Sequence, residues 1–307
     1  MPRMMQQTIT LSRDTTEAER VRAWLDAQGF RLATAPYALF RAAHSDCTVT
    51  FYCSGKVVFQ GAGADAVATE LFPERAAAAA AGPYAEALAL HPSPPPEQWI
   101  GIDETGKGDY FGPLVVVAAA VRREHLAWLA ELGVADSKTL SDSKIRAVAR
   151  DLRAACVFAA VIVMPERYNE LYERIGNLND LLAWGHARAL EDALTKAPEC
   201  TYAISDKFAT SDAVVARRLQ ERGRAIRLDQ RPRAEADPAV AAASMLSRDI
   251  FLRRMEDLGA NAGMQLPRGA GAPVVAAARE IVRAGGRDAL GRVAKLHFSI
   301  TERTGGG

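Results

Sequence analysis

The stretch "HPSPPPEQW", residues 91–99, constrains the chain more than any other. Proline locks φ and lacks an amide hydrogen, so four prolines within residues 92–96 cannot sit in a helix interior or a central strand. Such a segment favours a stiff extended path between structured parts. The 307 residues are therefore expected to form two domains, 1–90 and 99–307, joined by a proline-rich linker at 91–98. The six alanines at 76–81, just ahead of it, read equally as helix or as linker.

The first part predicts a small α+β domain in the order β-α-β-β-β-α. "QTITL" alternates as a strand does, and "TTEAERVRAWLDAQGF" has helical spacing, with Thr16 and Glu19 placed as a capping box and Gly29 as a stop. "YALFRAA", "CTVTFYC" and "KVVFQG" read as strands, the last two joined by a tight turn at Ser54-Gly55, and "ADAVATELF" closes the unit as a helix. Phe, Tyr, Lys and Gln on these strands either fill the core or line a sheet face that docks on nucleic acid.

After the prolines, strand and helix patterns alternate. "WIGIDE", "PLVVVAAAV" and "CVFAAVIVM" come first, followed by the helix "NDLLAWGHARALEDAL" and the short strands "YAISDKF" and "RAIRLDQ". The long helical stretches "VAAASMLSRDIFLRRMEDLG" and "VVAAAREIVRAGG" complete the pattern. This order predicts an α/β domain, a mixed sheet with helices on both faces.

The 38 basic and 37 acidic residues leave a net charge of +1, so any grip on nucleic acid must come from a local patch. No apolar run is long enough to span a bilayer, and "MPRMMQQTITLSR" lacks the apolar stretch of a signal peptide. A cytoplasmic location follows as the expectation, with no membrane partner and no feature calling for an obligate protein partner. Cys47, Cys53, Cys156 and Cys200 show neither metal-ligand nor redox spacing.

Chemistry concentrates in "GIDETGKGDYFG", residues 101–112, which nearly spells a phosphate-binding P-loop. Three features oppose that reading. Gly108 stands where a Ser or Thr hydroxyl should hold Mg²⁺. Asp103 and Glu104 would put negative charge inside a phosphate cradle. A Val-rich strand pattern follows where a helix should open. The carboxylates then become the lead. Asp103 and Glu104 stand at the end of one strand pattern, Asp206 at the end of another, and Glu235 just ahead of a helix. Carboxylates brought together repel one another unless cations neutralise them, and hard oxygen donors suit Mg²⁺ or Mn²⁺. Two such ions would serve phosphodiester hydrolysis. Asp237 competes with Glu235, although Asp before Pro238 also reads as N-cap and first residue of the next helix. Gly106 and Gly108 allow close backbone approach to a ribose 2′-hydroxyl, while Lys107, Ser137 and Lys138 are candidate phosphate contacts. His186 reads as a helix residue near the site rather than a ligand.

Taken together, "GIDETGKGDYFGPLVV", "DSKTLSD", "YNELYERIGNLNDLLAWGHA", "SDKF", "AVAAASMLSR", "LPRGAG" and "VAKLHF" resemble ribonuclease HIII. That is the type 2 ribonuclease H branch with an N-terminal domain similar to half of the TATA-binding protein. The resemblance implies a ribonuclease H-like catalytic domain that cuts the RNA strand of RNA–DNA hybrids with two Mg²⁺ or Mn²⁺ ions, leaving 3′-hydroxyl and 5′-phosphate ends. It places the metal-binding carboxylates at Asp103, Glu104, Asp206 and Glu235 and the 2′-hydroxyl-reading turn at Gly106–Gly108. The chain departs from the family pattern in having one residue fewer between Glu235 and "AVAAAS". The rival expectations are ribonuclease HII-like incision at single ribonucleotides in DNA, and a hybrid-binding protein with an inactive site.

Overall fold

The computed structural model describes residues 7–73, 82, 84–134, 140–207 and 213–305. The chain divides into two compact units, Met1–Ala85 and Glu86–Gly307.

In the first unit a five-stranded antiparallel sheet has the order β1-β5-β4-β3-β2. Its strands are β1 (Gln7–Ser12), β2 (Arg31–Ala33), β3 (Ala38–Ala43), β4 (Thr48–Tyr52) and β5 (Lys56–Gly61). Alternation along β4 and β5 turns Val49, Phe51, Val57 and Phe59 to one face, where they are fully buried. Helices α1 (Ala18–Ala27) and α2 (Ala64–Leu71) cover that face with Val21, Leu25, Ala68 and Leu71. The strand phenylalanines are therefore core, and the opposite face carries polar rows. Thr10, Val58, Thr50 and Arg41 are aligned across four strands, and Thr8, Gln60 and Thr48 across three. Strand β2, too short to alternate legibly, is absent from the pattern the sequence predicts. The Thr16–Glu19 capping box does not form. A 3₁₀ turn at Thr15–Glu17 precedes α1, and Asp14 caps it by accepting from the Thr16 N–H at 2.8 Å.

The second unit holds a mixed sheet in the order β10-β9-β6-β7-β8. Strand β7 (Leu114–Arg122) pairs antiparallel with both β6 (Gln98–Thr105) and β8 (Val157–Val163), whereas β9 (Tyr202–Asp206) lies parallel to β6 and to β10 (Arg227–Arg231). Helix α3 (Leu178–Lys196) packs Leu181, Leu182 and Leu190 onto Ile100, Ile102 and Val116. Helix α4 (Pro238–Ala262) covers the other face so closely that its backbone meets Gly101 of β6. Any side chain there would collide with the helix, so glycine sets the approach distance. The proline-rich segment is part of this second unit, since the boundary falls ahead of it at Ala85/Glu86. The physical reason is specific: the His91 side chain is completely buried against Asp237.

Candidate active site

Parallel pairing of β6 and β9 ends with Ile102 opposite Ser205. Asp103 and Asp206 each follow by one residue, so the two carboxylates stand on neighbouring strand ends. Paired residues share a face, and Gly101, Asp103 and Thr105 alternate onto the side covered by α4. Thr105 confirms this by a 2.8 Å hydroxyl contact with Ser247 of that helix. The 3₁₀ turn Ala234–Ala236 lies against the same place, because the Ala234 N–H donates to Asp206 Oδ1 at 3.4 Å. The turn that bears Glu235 thereby stands against Asp206.

Glu104 has a different setting. Strand β6 stays paired through Thr105, so alternation persists and Glu104 points to the α3 side rather than joining Asp103. His186 Nε2 lies 3.0 Å from Glu104 Oε2, and Ser205 Oγ lies 3.2 Å from His186 Nδ1. Lys107 Nζ is 3.6 Å from Glu104 Oε1. Burial by itself would raise the Glu104 pKa, but the hydrogen bond and charge of His186, with Lys107, outweigh it and hold the carboxyl below its ordinary value.

The glycine turn after β6 leads into strand β7, not a helix, which removes the P-loop reading. Gly106 has φ +94°, and a Cβ there would stand 2.1 Å from the Pro113 carbonyl oxygen, so the position requires glycine. At Gly108 a Cβ would meet nothing within 4 Å. Two distant motifs brace this turn. Asp109 Oδ1 accepts from the Gly269 N–H at 2.7 Å, and the Tyr110 N–H donates to Gly269 O at 2.9 Å. The fully buried Lys295 donates from Nζ to Asp109 O at 2.8 Å, and burial pushes its pKa down to about 7. The motifs "LPRGAG" and "VAKLHF" show nothing of this bracing role in sequence, because the contacts span 160 and 186 residues. Ser137 and Lys138 lie outside the described residues.

Asp237 is the N-cap of α4, as its place before Pro238 suggested. Oδ1 accepts from the Ala239 N–H at 2.9 Å and from Trp99 Nε1 at 3.0 Å; Oδ2 accepts from His91 Nε2 at 2.6 Å. This carboxylate, 1% exposed, has both oxygens committed to structure. Half-buried Glu235 lies on the turn that meets Asp206. Among the described residues no three Asp, Glu, His or Cys side chains close on one point as a complete metal cage would. The donor chemistry of Asp103, Glu104, Asp206 and Glu235 nevertheless fits Mg²⁺ or Mn²⁺, since all four offer carboxylate oxygens.

Comparison with known proteins agrees with this architecture. The ribonuclease HII family pattern matches residues 100–301, and one described as a domain of unknown function matches 11–81. The chain is 40% identical over 286 residues to ribonuclease HIII of Chlamydia pneumoniae, covering 92% of this chain and 94% of that protein. It is 37% identical to ribonuclease HIII of Protochlamydia amoebophila, with 94% of each chain covered. Among solved structures, Bst-RNase HIII in complex with Mn²⁺ is similar at 34% identity and a TM-score of 0.66, covering 97% of this chain and 98% of that one.

Proposed function

The chain belongs to the ribonuclease HIII branch of the ribonuclease HII family, and from that premise we propose an endoribonuclease that hydrolyses the RNA strand of RNA–DNA hybrids with Mg²⁺ or Mn²⁺, leaving 3′-hydroxyl and 5′-phosphate ends. The observation that carries this reading is the placement of Asp103 and Asp206 on adjacent parallel strand ends with the Glu235 turn against Asp206. Asp103, Asp206 and Glu235 would hold the metal from the α4 side of the strand ends and Glu104 from the α3 side; in pairs such ions supply water activation and stabilisation of the leaving oxygen. His186 and Lys107 keep Glu104 ionised and oriented for that task. Gly106 lets the chain turn tightly against Pro113, and exposed Gly108 leaves the backbone beside it uncovered, so its polar groups can reach a ribose 2′-hydroxyl and separate RNA from DNA. Lys107, Ser137 and Lys138 contact phosphate in this reading.

The first unit grips the hybrid through its open polar face. Exposed Thr10 and Arg41, with Thr8 and Gln60 beside them, offer hydrogen-bond and charge contacts that suit a phosphate backbone. A tethered binding unit raises the effective concentration of substrate at the site. No described helix is long and apolar enough to cross a membrane, and the proposal places the enzyme in the cytoplasm without an obligate protein partner.

The test is cleavage of three labelled duplexes, RNA–DNA hybrid, DNA with one ribonucleotide, and RNA–RNA, each with Mg²⁺ and with Mn²⁺. Hybrid cleavage alone is expected. Efficient incision at the single ribonucleotide would shift the assignment to ribonuclease HII-like specificity. A folded protein that binds hybrid and cuts nothing would leave a binding protein with a dead site.

A further inference from the structure

The Glu235-bearing turn is short, running from Pro232 to Ala236 between Arg231 at the end of β10 and Asp237 at the cap of α4. Both flanking residues are held by two consecutive residues from far earlier in the chain. Arg231 Nη2 donates to the Leu90 carbonyl oxygen, and also reaches Asp229 Oδ2 at 2.7 Å and Tyr202 Oη at 3.1 Å. His91 Nε2 donates to Asp237 Oδ2 at 2.6 Å. The imidazole is completely buried, with Trp99 and Tyr202 packed against it at ring separations of 4.9 and 5.1 Å. Leu90 and His91 thus bridge the two ends of the turn. Inside it, Arg233 adopts φ +58°, a left-handed conformation that a non-glycine residue keeps only when its surroundings enforce it. A strained turn of five residues, flanked by a strand end and a helix start, depends on what fixes those two ends.

We propose that His91 is a positioning residue for Glu235: with Leu90 it staples the ends of the turn and so sets where the Glu235 carboxylate stands beside Asp206. The inference rests on the reading of Glu235 as a metal-binding carboxylate. It gives the start of the proline-rich segment a role in the site, exerted through Asp237 and Arg231 rather than by contact with substrate. A buried histidine that merely fills space would stabilise the fold without setting metal affinity. Partners that orient metal ligands in this way typically change affinity by about 10- to 100-fold when removed.

The experiment is Mn²⁺ binding to the full chain by calorimetry without substrate, alongside steady-state kinetics on an RNA–DNA hybrid. His91→Ala is expected to weaken Mn²⁺ by about tenfold and to lower kcat while leaving KM unchanged. His91→Gln, whose amide nitrogen extends as far as Nε2, restores most of the affinity; His91→Asn, which stops at the level of Nδ1, does not. In a Glu235→Ala background, His91→Ala causes no further loss. A folded His91→Ala with parental Mn²⁺ affinity overturns the proposal, as does an undiminished further loss in the Glu235→Ala background. If His91→Ala does not fold, the amide pair decides, and equal affinity of the Gln and Asn variants refutes the staple. Parental Mn²⁺ affinity in Glu235→Ala alone has a separate meaning: it removes Glu235 from the metal site and the proposal with it.

Discussion

Replacing Gly101 with alanine adds one methyl group where β6 and α4 meet backbone to backbone. The new Cβ would stand 2.1 Å from both Ala239 C and Val240 N, and 2.4 Å from Ala239 O. Ordinary contact begins at 3.4 Å, so relief requires the helix start to retreat by 3.4 − 2.1, about 1.3 Å. No flexible side chain can absorb the collision, because all three atoms belong to the first turn of a helix capped by Asp237. Overpacking a tight core costs about 1–3 kcal/mol, and a backbone obstacle places this variant near the upper figure, about 3 kcal/mol. For a unit of this size each kcal/mol lowers the melting temperature by about 2–4 °C, giving a fall of about 6–12 °C. The same retreat carries the Glu235 turn away from Asp103 and Asp206, so kcat drops while hybrid KM changes little. Melting curves and steady-state kinetics on Gly101→Ala check both parts. A variant that melts within about 2 °C of the parent and turns over at the parental rate would refute the close-approach argument.

Asp103→Asn and Asp206→Asn should each abolish hydrolysis yet bind hybrid nearly as the parent does, since phosphate and sugar contacts lie elsewhere; near-normal cleavage at saturating Mg²⁺ in either variant would count against them as metal-binding groups. Glu235→Ala should lose activity with an unchanged melting curve, whereas Asp237→Ala should lose about 1–3 kcal/mol of stability by stripping the cap and stranding buried donors on His91 and Trp99. An active Glu235→Ala beside a stably folded, inactive Asp237→Ala would reverse the two roles. Gly108→Ala meets no steric obstacle, so it should fold normally but raise KM for the hybrid, and an unchanged KM would take Gly108 out of the substrate turn. Lys295 provides a pH test. Its folded pKa, about 7, lies below its ordinary 10.5, so between those values the unfolded chain holds a proton that the folded chain does not. Stability from this group therefore rises as pH climbs from about 7 toward 10, and below pH 7 the full cost of a buried charge applies. The melting difference between parent and Lys295→Met should move in the parent's favour across that range, and a constant difference would show that the lysine is not buried as described.

What was legible in the sequence was local. Alternation and helical spacing exposed most of the strands and the long helices, since each pattern repeats within a few residues. Prolines 92–96 marked the neighbourhood of the division, and the pairing of Asp237 with Pro238 announced a helix start. Asp103, Glu104 and Asp206 stood out because each sits where an apolar strand runs out. Tertiary structure decided the rest. Parallel pairing of β6 with β9 put Asp103 beside Asp206 across 103 residues, and strand alternation sent Glu104 to His186 on the opposite face. The strand phenylalanines became core because two helices covered one face of the first sheet. Asp237 proved to be fully occupied only when Trp99 and His91 arrived from 138 and 146 residues away. Such contacts leave no periodic trace in a single chain. A hydrogen bond depends on where two atoms meet in space, whereas sequence pattern records only which face each residue presents to its own neighbours.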